Sequence, residues 1–187
     1  MSYNNNQQFS PAVESEHITT DSDWKELTFE ITPDMITGSE WAINFDLAGE
    51  YFTGDVYIDD ASLVEKVAVT PPPSSDPDEI LKNNGFETFS AGAFEDWGIW
   101  RGNNGNTQLS QVEGRTGKAA KITVDNNNNT INLYQTVTLD PTKTYIFSAW
   151  VKTENIALQW PGAEGVYLNF KHTNSVVLMS KPLKADS

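Results

Sequence analysis

The sequence predicts an all-β protein built as an antiparallel β-sandwich, and three observations support that fold class. Seven segments alternate apolar and polar residues with the period of two expected for half-buried strands. Glycine, asparagine, aspartate or proline turns bound each segment, as is usual for short strands joined by tight connections. No long stretch carries the period of an amphipathic helix.

The strand segments fall into two groups along the chain, and each is rich in β-branched and aromatic residues. The three early segments are residues 24–31, 41–47 and 54–60, and the four late segments are residues 118–124, 133–139, 144–152 and 166–171. In the second segment, alternation places Ile43, Phe45 and Leu47 on one face and Asn44 and Asp46 on the other. The two polar residues are therefore predicted to face a cleft.

A linker separates the two groups of strands. Residues 67–80 read VAVTPPPSSDPDEI, and three consecutive prolines cannot enter a central strand or a helix. The linker divides the chain into residues 1–66 and residues 81–187.

Composition and charge exclude several functions. The chain has 12 Lys and Arg against 26 Asp and Glu, a formal net charge of -14, which would repel nucleic acid and anionic membrane surfaces. It contains no cysteine, and no apolar run is long enough to span a bilayer. Its polar start lacks the basic and apolar parts of an export signal. We expect neither nucleic acid nor a membrane as partner.

The chain resembles carbohydrate-binding modules of families 4, 9 and 22. Residues 80–97, the run GRTGKAAKI from Gly114 and the run KTYIFSAWVK from Lys143 are similar to the beginning of such a module. Before the linker, the run WKEL from Trp24 and the run VYIDDASL from Val56 are similar to the end of one. The resemblance implies a jelly-roll sandwich of the galactose-binding type, attached to a secreted or surface-bound glycoside hydrolase such as a xylanase.

The order of the two parts is inverted relative to that family. Residues 1–66 correspond to the C-terminal portion of a module and residues 81–187 to the N-terminal portion. We predict that the two parts together complete one sandwich. The sandwich would close within one chain, as in a circular permutant, or between two chains as a domain-swapped dimer.

The resemblance also implies a structural calcium ion where the first and last strands meet. The matching ligands are the backbone carbonyls of Gly85 and Lys118, the side chain of Glu87, and Asp59 with Asp60 as the alternative. Carboxylate and carbonyl oxygens are the ligands that Ca²⁺ requires. In the other interpretation, Glu87 caps a turn and the two aspartates face water.

A sugar-binding cleft needs aromatic planes beside polar groups of fixed geometry. The run DWGIWRG supplies Trp97, Trp100 and Arg101, and its Trp-x-x-x-Arg-Gly arrangement resembles the family 22 xylan binders, in which that arginine reaches the ligand. Further predicted contacts are Asn44, Asp46, Tyr134, Gln135 and Trp160. Aromatic residues in a sandwich are more often core than ligand platform, and we expect the core to hold Trp24, Trp150, Tyr145 and Phe147.

The predicted function is non-catalytic binding of xylan or, second, of β-glucan. Glycosidases use two carboxylates in a defined pair, and no pattern here marks such a pair. His17 and His172 lack metal-ligand spacing, and no nucleophile motif is present. The alternative is a structural or adhesion sandwich that binds no sugar, because a fold alone does not determine function.

Overall fold

In a computed structural model, the structure describes residues 13–36, 41–47, 52–66, 79–101, 107–125, 131–163 and 165–172. These residues form twelve β-strands and one short 3₁₀-helix at Pro33–Met35. The strands are β1 (Val13–Glu14), β2 (Ser22–Ile31), β3 (Trp41–Leu47), β4 (Phe52–Glu65), β5 (Phe89–Ser90), β6 (Ala93–Phe94), β7 (Gly98–Arg101), β8 (Gln108–Glu113), β9 (Lys118–Val124), β10 (Ile131–Val137), β11 (Tyr145–Leu158) and β12 (Val166–His172).

The strands form two five-stranded sheets and a small hairpin. Sheet A has the order β1-β12-β3-β10-β7, sheet B has the order β2-β11-β4-β9-β8, and β5 pairs with β6. All of these pairs are antiparallel. The predicted all-β, antiparallel fold class is therefore confirmed.

Alternation along each strand sends one row of side chains inward. In β11, Tyr145, Phe147, Ala149, Val151 and Thr153 are buried, and the residues between them are partly exposed. Strand geometry makes this pattern obligatory, since successive side chains point to opposite faces. The buried row of β11 lies at the centre of sheet B, between β2 and β4.

Both sheets contribute to one hydrophobic core. Sheet A supplies the buried rows of β10 and β12, and sheet B supplies those of β2, β4, β9 and β11. A third contribution comes from the segment before β7, with Phe86, Phe94 and Trp97. Truncating a fully buried ring such as Phe147 to alanine would cost about 3–5 kcal/mol of stability.

Strands from the two sides of the predicted linker pair with one another. β4 lies between β9 and β11, and β3 lies between β10 and β12. Residues 67–78 of the predicted linker lie outside the described residues. Where the description resumes, the carboxylate of Glu79 accepts hydrogen bonds from the backbone N–H groups of Leu63 and Leu81, which holds the chain beside the end of β4.

Two of the four aromatic residues expected in the core lie elsewhere. Tyr145 and Phe147 are buried as predicted, but Trp24 and Trp150 are only half-buried. Trp24 shares its side of β2 with Glu26, Thr28 and Glu30 rather than with the buried Leu27. The prediction was wrong for these two residues because it followed residue type, whereas strand parity decides which face a side chain occupies.

Candidate functional site

A cleft of about 390 Å³ opens where β7 stops covering the edge of β10. β7 pairs with β10 only as far as Gly98 opposite Tyr134, so Gln135–Val137 pair with β3 alone among the described strands. The cleft lies beside this uncovered edge. Its lining residues are Ile80, Lys82, Asp96, Gly98, Tyr134, Gln135, Thr136, Val137 and Thr138.

Tyr134 supplies an aromatic surface in the cleft. Its ring lies directly against the backbone of Gly98, so closely that a Cβ at Gly98 would overlap the ring carbons. The side chain is half-buried, and its hydroxyl has no hydrogen bond to the described residues. A flat ring held against backbone on one side is the arrangement that a stacked sugar requires. Tyr134 and Gln135 are the two predicted sugar contacts among the described residues that line the cleft.

Gln135 lines the same cleft but its amide is already used. It is 7% exposed, its Oε1 accepts from the Lys82 N–H at 2.9 Å, and its Nε2 donates to the Lys82 carbonyl at 2.9 Å. Both polar atoms of the Gln135 amide therefore have partners within the chain, and its contact with sugar stays a prediction. Gln135 shares parity with the buried Leu133 and Val137, and it fixes the backbone of Lys82 at the cleft.

Trp97, another predicted sugar contact, is buried. Its side chain is 5% exposed and packs on Phe86 with ring centroids 5.0 Å apart. The indole N–H donates to the Asn83 carbonyl at 3.1 Å. The ring is buried and its single donor has a partner, so Trp97 is a core residue. Its contacts stabilise the 81–97 segment.

Trp160 is exposed but lies far from the cleft. It is 42% exposed, in a turn after β11 that is closed by the Ala163 N–H and the Trp160 carbonyl. The turn adjoins Val166, which pairs with Leu47, whereas the cleft lies near Val137, which pairs with Trp41. These positions are opposite ends of the seven-residue strand β3, about 20 Å apart.

For four predicted contacts the structure describes the backbone alone. Asn44 pairs with both Tyr134 and Asn169, and Asp46 pairs with Asn132. Trp100 is opposite Asn132, and Arg101 is opposite Ile131, on the edge strand β7. The side chains of Asn44, Asp46, Trp100 and Arg101 lie outside the described part of the structure.

The predicted calcium ligands surround the loop 114–118. Asp59 is fully buried; its Oδ2 accepts from the N–H groups of Arg115 and Thr116 at 2.7 and 3.0 Å, and its Oδ1 accepts from Asp60 N–H. Glu87 Oε1 accepts from the Lys118 N–H at 2.9 Å. Gly85 lies beside Glu87.

Two acceptor oxygen atoms lie close to Gly114 at this loop. A Cβ at Gly114 would lie 2.5 Å from Asp59 Oδ2 and 2.7 Å from the Lys118 carbonyl oxygen. Burial raises the pKa of Asp59, although hydrogen bonds from backbone N–H groups oppose the effect. A cation at these oxygens would compensate the desolvated carboxylate. Among the described residues, however, no group of three or more His, Cys, Asp or Glu side chains is placed to hold a metal.

Asp60 is occupied by other partners. Its carboxylate forms an ion pair with Arg115 at 2.7 Å and accepts from the Thr116 hydroxyl at 2.8 Å. A residue whose oxygens already bind a guanidinium is a poor cation ligand. The Asp59 carboxylate likewise has partners, three backbone N–H groups, so both alternatives that the sequence left open stay predictions.

Sequence reasoning missed two charged residues of the cleft, Lys82 and Asp96. Each belongs to a stretch that carried the family resemblance, but neither stood out as a ligand contact. Their proximity to Tyr134 depends on how the 81–97 segment folds against β10, and no local pattern encodes that. Thr136 and Thr138 follow from alternation with Tyr134 and could have been found.

The chain matches no family model, no curated protein and no solved structure. Within the described part of the chain, no helix has the length and apolar character needed to cross a membrane.

Proposed function

We propose that the chain is a non-catalytic module that binds a β-linked plant polysaccharide, xylan first and β-glucan second, on a jelly-roll sandwich. The observation that carries the proposal is the cleft beside Tyr134, where a ring backed by Gly98 adjoins exposed polar groups. Sugars present apolar C–H faces and hydroxyl groups, which match these two features. In this proposal the two parts of the chain form one folded unit, supported by the strand pairs that join them.

The proposal assigns binding without catalysis. Asp96 is the one carboxylate among the described residues that line the cleft, whereas glycosidases act with two. A module of this kind would direct a secreted or surface-bound glycoside hydrolase to its polymer. Tandem copies would raise the avidity.

Calorimetry of the full chain with xylohexaose is the direct test. We expect saturable binding to xylohexaose, weaker binding to β-linked glucohexaoses, and none to maltohexaose, whose α-linkages give a different chain shape. Arg101→Ala should cost about 1–3 kcal/mol of binding, the range for a lost charged hydrogen bond. If neither xylo- nor gluco-oligosaccharides bind, the proposal is wrong and a structural or adhesion role replaces it.

A structural calcium ion is part of the proposal. Asp59, Glu87 and the carbonyls of Gly85 and Lys118 would hold it. Ca²⁺ would balance the negative charge of the two carboxylates. A ligand bound by the native state alone raises the melting temperature with its concentration. We therefore expect a higher melting temperature in millimolar Ca²⁺ than in excess chelator, and no such response in Glu87→Gln. Equal melting temperatures of the parent in both conditions would remove calcium from the proposal.

A further inference from the structure

Outside the cleft, every lysine and arginine side chain that the structure describes forms an ion pair. Seven cationic side chains form ion pairs: Lys25, Lys66, Arg115, Lys118, Lys121, Lys143 and Lys152. Among the cations whose side chains the structure describes, Lys82 is the exception, and it lines the cleft. The carboxylate of Asp96, which lines the same cleft, also has neither an ion pair nor a hydrogen bond within the described structure.

The backbone holds these two charges in place on separate segments. Gln135 binds both backbone polar groups of Lys82. The amide of Asn83, next to Lys82, donates to the carbonyl of Glu95, next to Asp96, at 3.0 Å. Asn83 and Asp96 both adopt left-handed φ angles, 45° and 65°, which asparagine and aspartate tolerate better than most residues. The cleft therefore presents an ammonium and a carboxylate that are positioned without being paired.

From this arrangement we infer that Lys82 and Asp96 bind the hydroxyl groups of one uncharged sugar unit stacked on Tyr134. A hydroxyl donates to a carboxylate and accepts from an ammonium, so one sugar unit satisfies both groups. An anionic ligand would face Asp96 and the net charge of -14, and a cationic ligand would face Lys82. The inference rests on the proposed function and adds two contact residues and a selectivity for neutral sugar at this subsite.

The test compares two ligands and two variants of the full chain. The ligands are xylohexaose and a xylohexaose that carries one glucuronic acid substituent. Lys82→Met removes the cation and keeps the side-chain stem. Asp96→Asn removes the anion and keeps a residue that tolerates the left-handed φ. Lys66→Met, which removes a cation paired with Glu30 outside the cleft lining, is the control.

We expect each cleft variant to weaken xylohexaose binding about tenfold, as for a lost hydrogen bond to a charged group, and the control to leave it unchanged. The ratio of the affinities for the two ligands should also shift. Compared with the parent, Asp96→Asn should prefer the acidic ligand more, and Lys82→Met should prefer it less. A general loss of structure would not move this preference in opposite directions.

Three outcomes overturn the inference. If the parent binds xylohexaose and both variants keep its affinity and its ligand preference, sugar binds elsewhere and the proposed function stands. If the parent binds the acidic ligand tenfold more tightly than xylohexaose, the subsite is selective for an anion and the neutral-sugar inference is wrong. If the parent binds neither ligand, the inference fails together with the xylan proposal.

Discussion

Tyr57 on sheet B and Tyr134 on sheet A are both half-buried tyrosines on the outer side of a sheet, yet their surroundings differ. Lys121 and Lys152 place their ammonium groups 5.1 and 5.3 Å from the centroid of the Tyr57 ring. The Tyr57 hydroxyl donates to Glu154 at 2.7 Å. Tyr134 instead lies on Gly98, and its hydroxyl has no partner within the described chain.

The same contrast holds for the charged neighbours of each ring. Beside Tyr57, Lys121 pairs with Asp55 and Lys152 pairs with Glu154. Close to the cleft, Lys82 and Asp96 are without ion pairs. The hydroxyl of Tyr57 and the two cations beside its ring thus have partners within the chain and serve stability. Those in the cleft remain to be satisfied by a ligand, so aromatic residues on the two sheets are expected to respond differently to mutation.

Truncating each tyrosine to alanine should give the largest contrast. Tyr134→Ala is expected to weaken xylohexaose binding by about 2 kcal/mol, as for a binding hot spot, with little change in stability. Tyr57→Ala is expected to lower the free energy of unfolding by about 1–2 kcal/mol, because it removes the cation–π contacts and the hydrogen bond to Glu154. Calorimetry and urea denaturation measure the two effects. Equal changes in binding would show that the two surfaces do not differ in function.

Removing the cation over Trp150 should have the next largest effect. The Arg115 guanidinium lies 4.0 Å from the centroid of the Trp150 ring and also pairs with Asp60. Arg115→Ala should cost about 1 kcal/mol of stability in urea denaturation, from the lost cation–π contact and a partly exposed ion pair. Affinity for xylohexaose should be unchanged. A fall in affinity as large as the fall in stability would place a ligand on sheet B.

Alternation in the sequence predicted much of the fold, because strand parity is a local property. All seven predicted segments overlap observed strands, but β4 and β11 extend beyond the predicted segments. Their shared ladder has register shifts between Ser148 and Trp150 and between Glu154 and Ala157, and such irregularities interrupt the pattern that the prediction used. The strands β5 and β6 have two residues each, too short to show a period.

The site was less predictable than the fold. Alternation places Tyr134 on the face opposite the buried Leu133 and Val137, and its contact with sugar stays a prediction. The prediction for Trp97 came from a spacing motif, which does not specify whether a side chain points into the core. Lys82 and Asp96 could not be inferred, because their approach to Tyr134 depends on hydrogen bonds made by Gln135 and Asn83, which are distant in sequence from one or both partners.

Displacing the Tyr134 ring without removing it should show how much of the affinity for xylohexaose depends on the position of the ring. Because an alanine Cβ at position 98 would overlap the ring, Gly98→Ala must shift the ring away from the backbone. The overlap involves the far end of a side chain, so the stability cost should be small, about 0.5 kcal/mol. Xylohexaose binding should weaken several-fold, by about 1 kcal/mol. Unchanged calorimetric affinity would show that the position of Tyr134 does not matter for binding.

The smallest expected effect on stability comes from replacing Glu154, whose carboxylate accepts the hydrogen bond of the Tyr57 hydroxyl. This effect should depend on pH. Hydrogen bonds from Lys152 and then Tyr57 lower the pKa of Glu154 below its ordinary value of 4.5. A carboxyl whose pKa is lower in the folded state contributes stability above the unfolded pKa and loses it as the pH falls through the folded pKa. Glu154→Gln should therefore cost about 0.5 kcal/mol at pH 7, the scale of an exposed ion pair.

The pH series then distinguishes the two surfaces. The stability difference between the parent and Glu154→Gln, measured by urea denaturation at low salt, should shrink as the pH falls from 4.5 through the lowered pKa of folded Glu154, because both proteins then come to carry an uncharged group at this position. Asp96→Asn serves as the matched cleft variant: its carboxylate has no partner in the described structure, so removing it should leave stability at pH 7 unchanged. A stability loss in Asp96→Asn as large as that in Glu154→Gln would mean that the cleft charges serve the fold as those on sheet B do, and the contrast between the two surfaces would no longer hold.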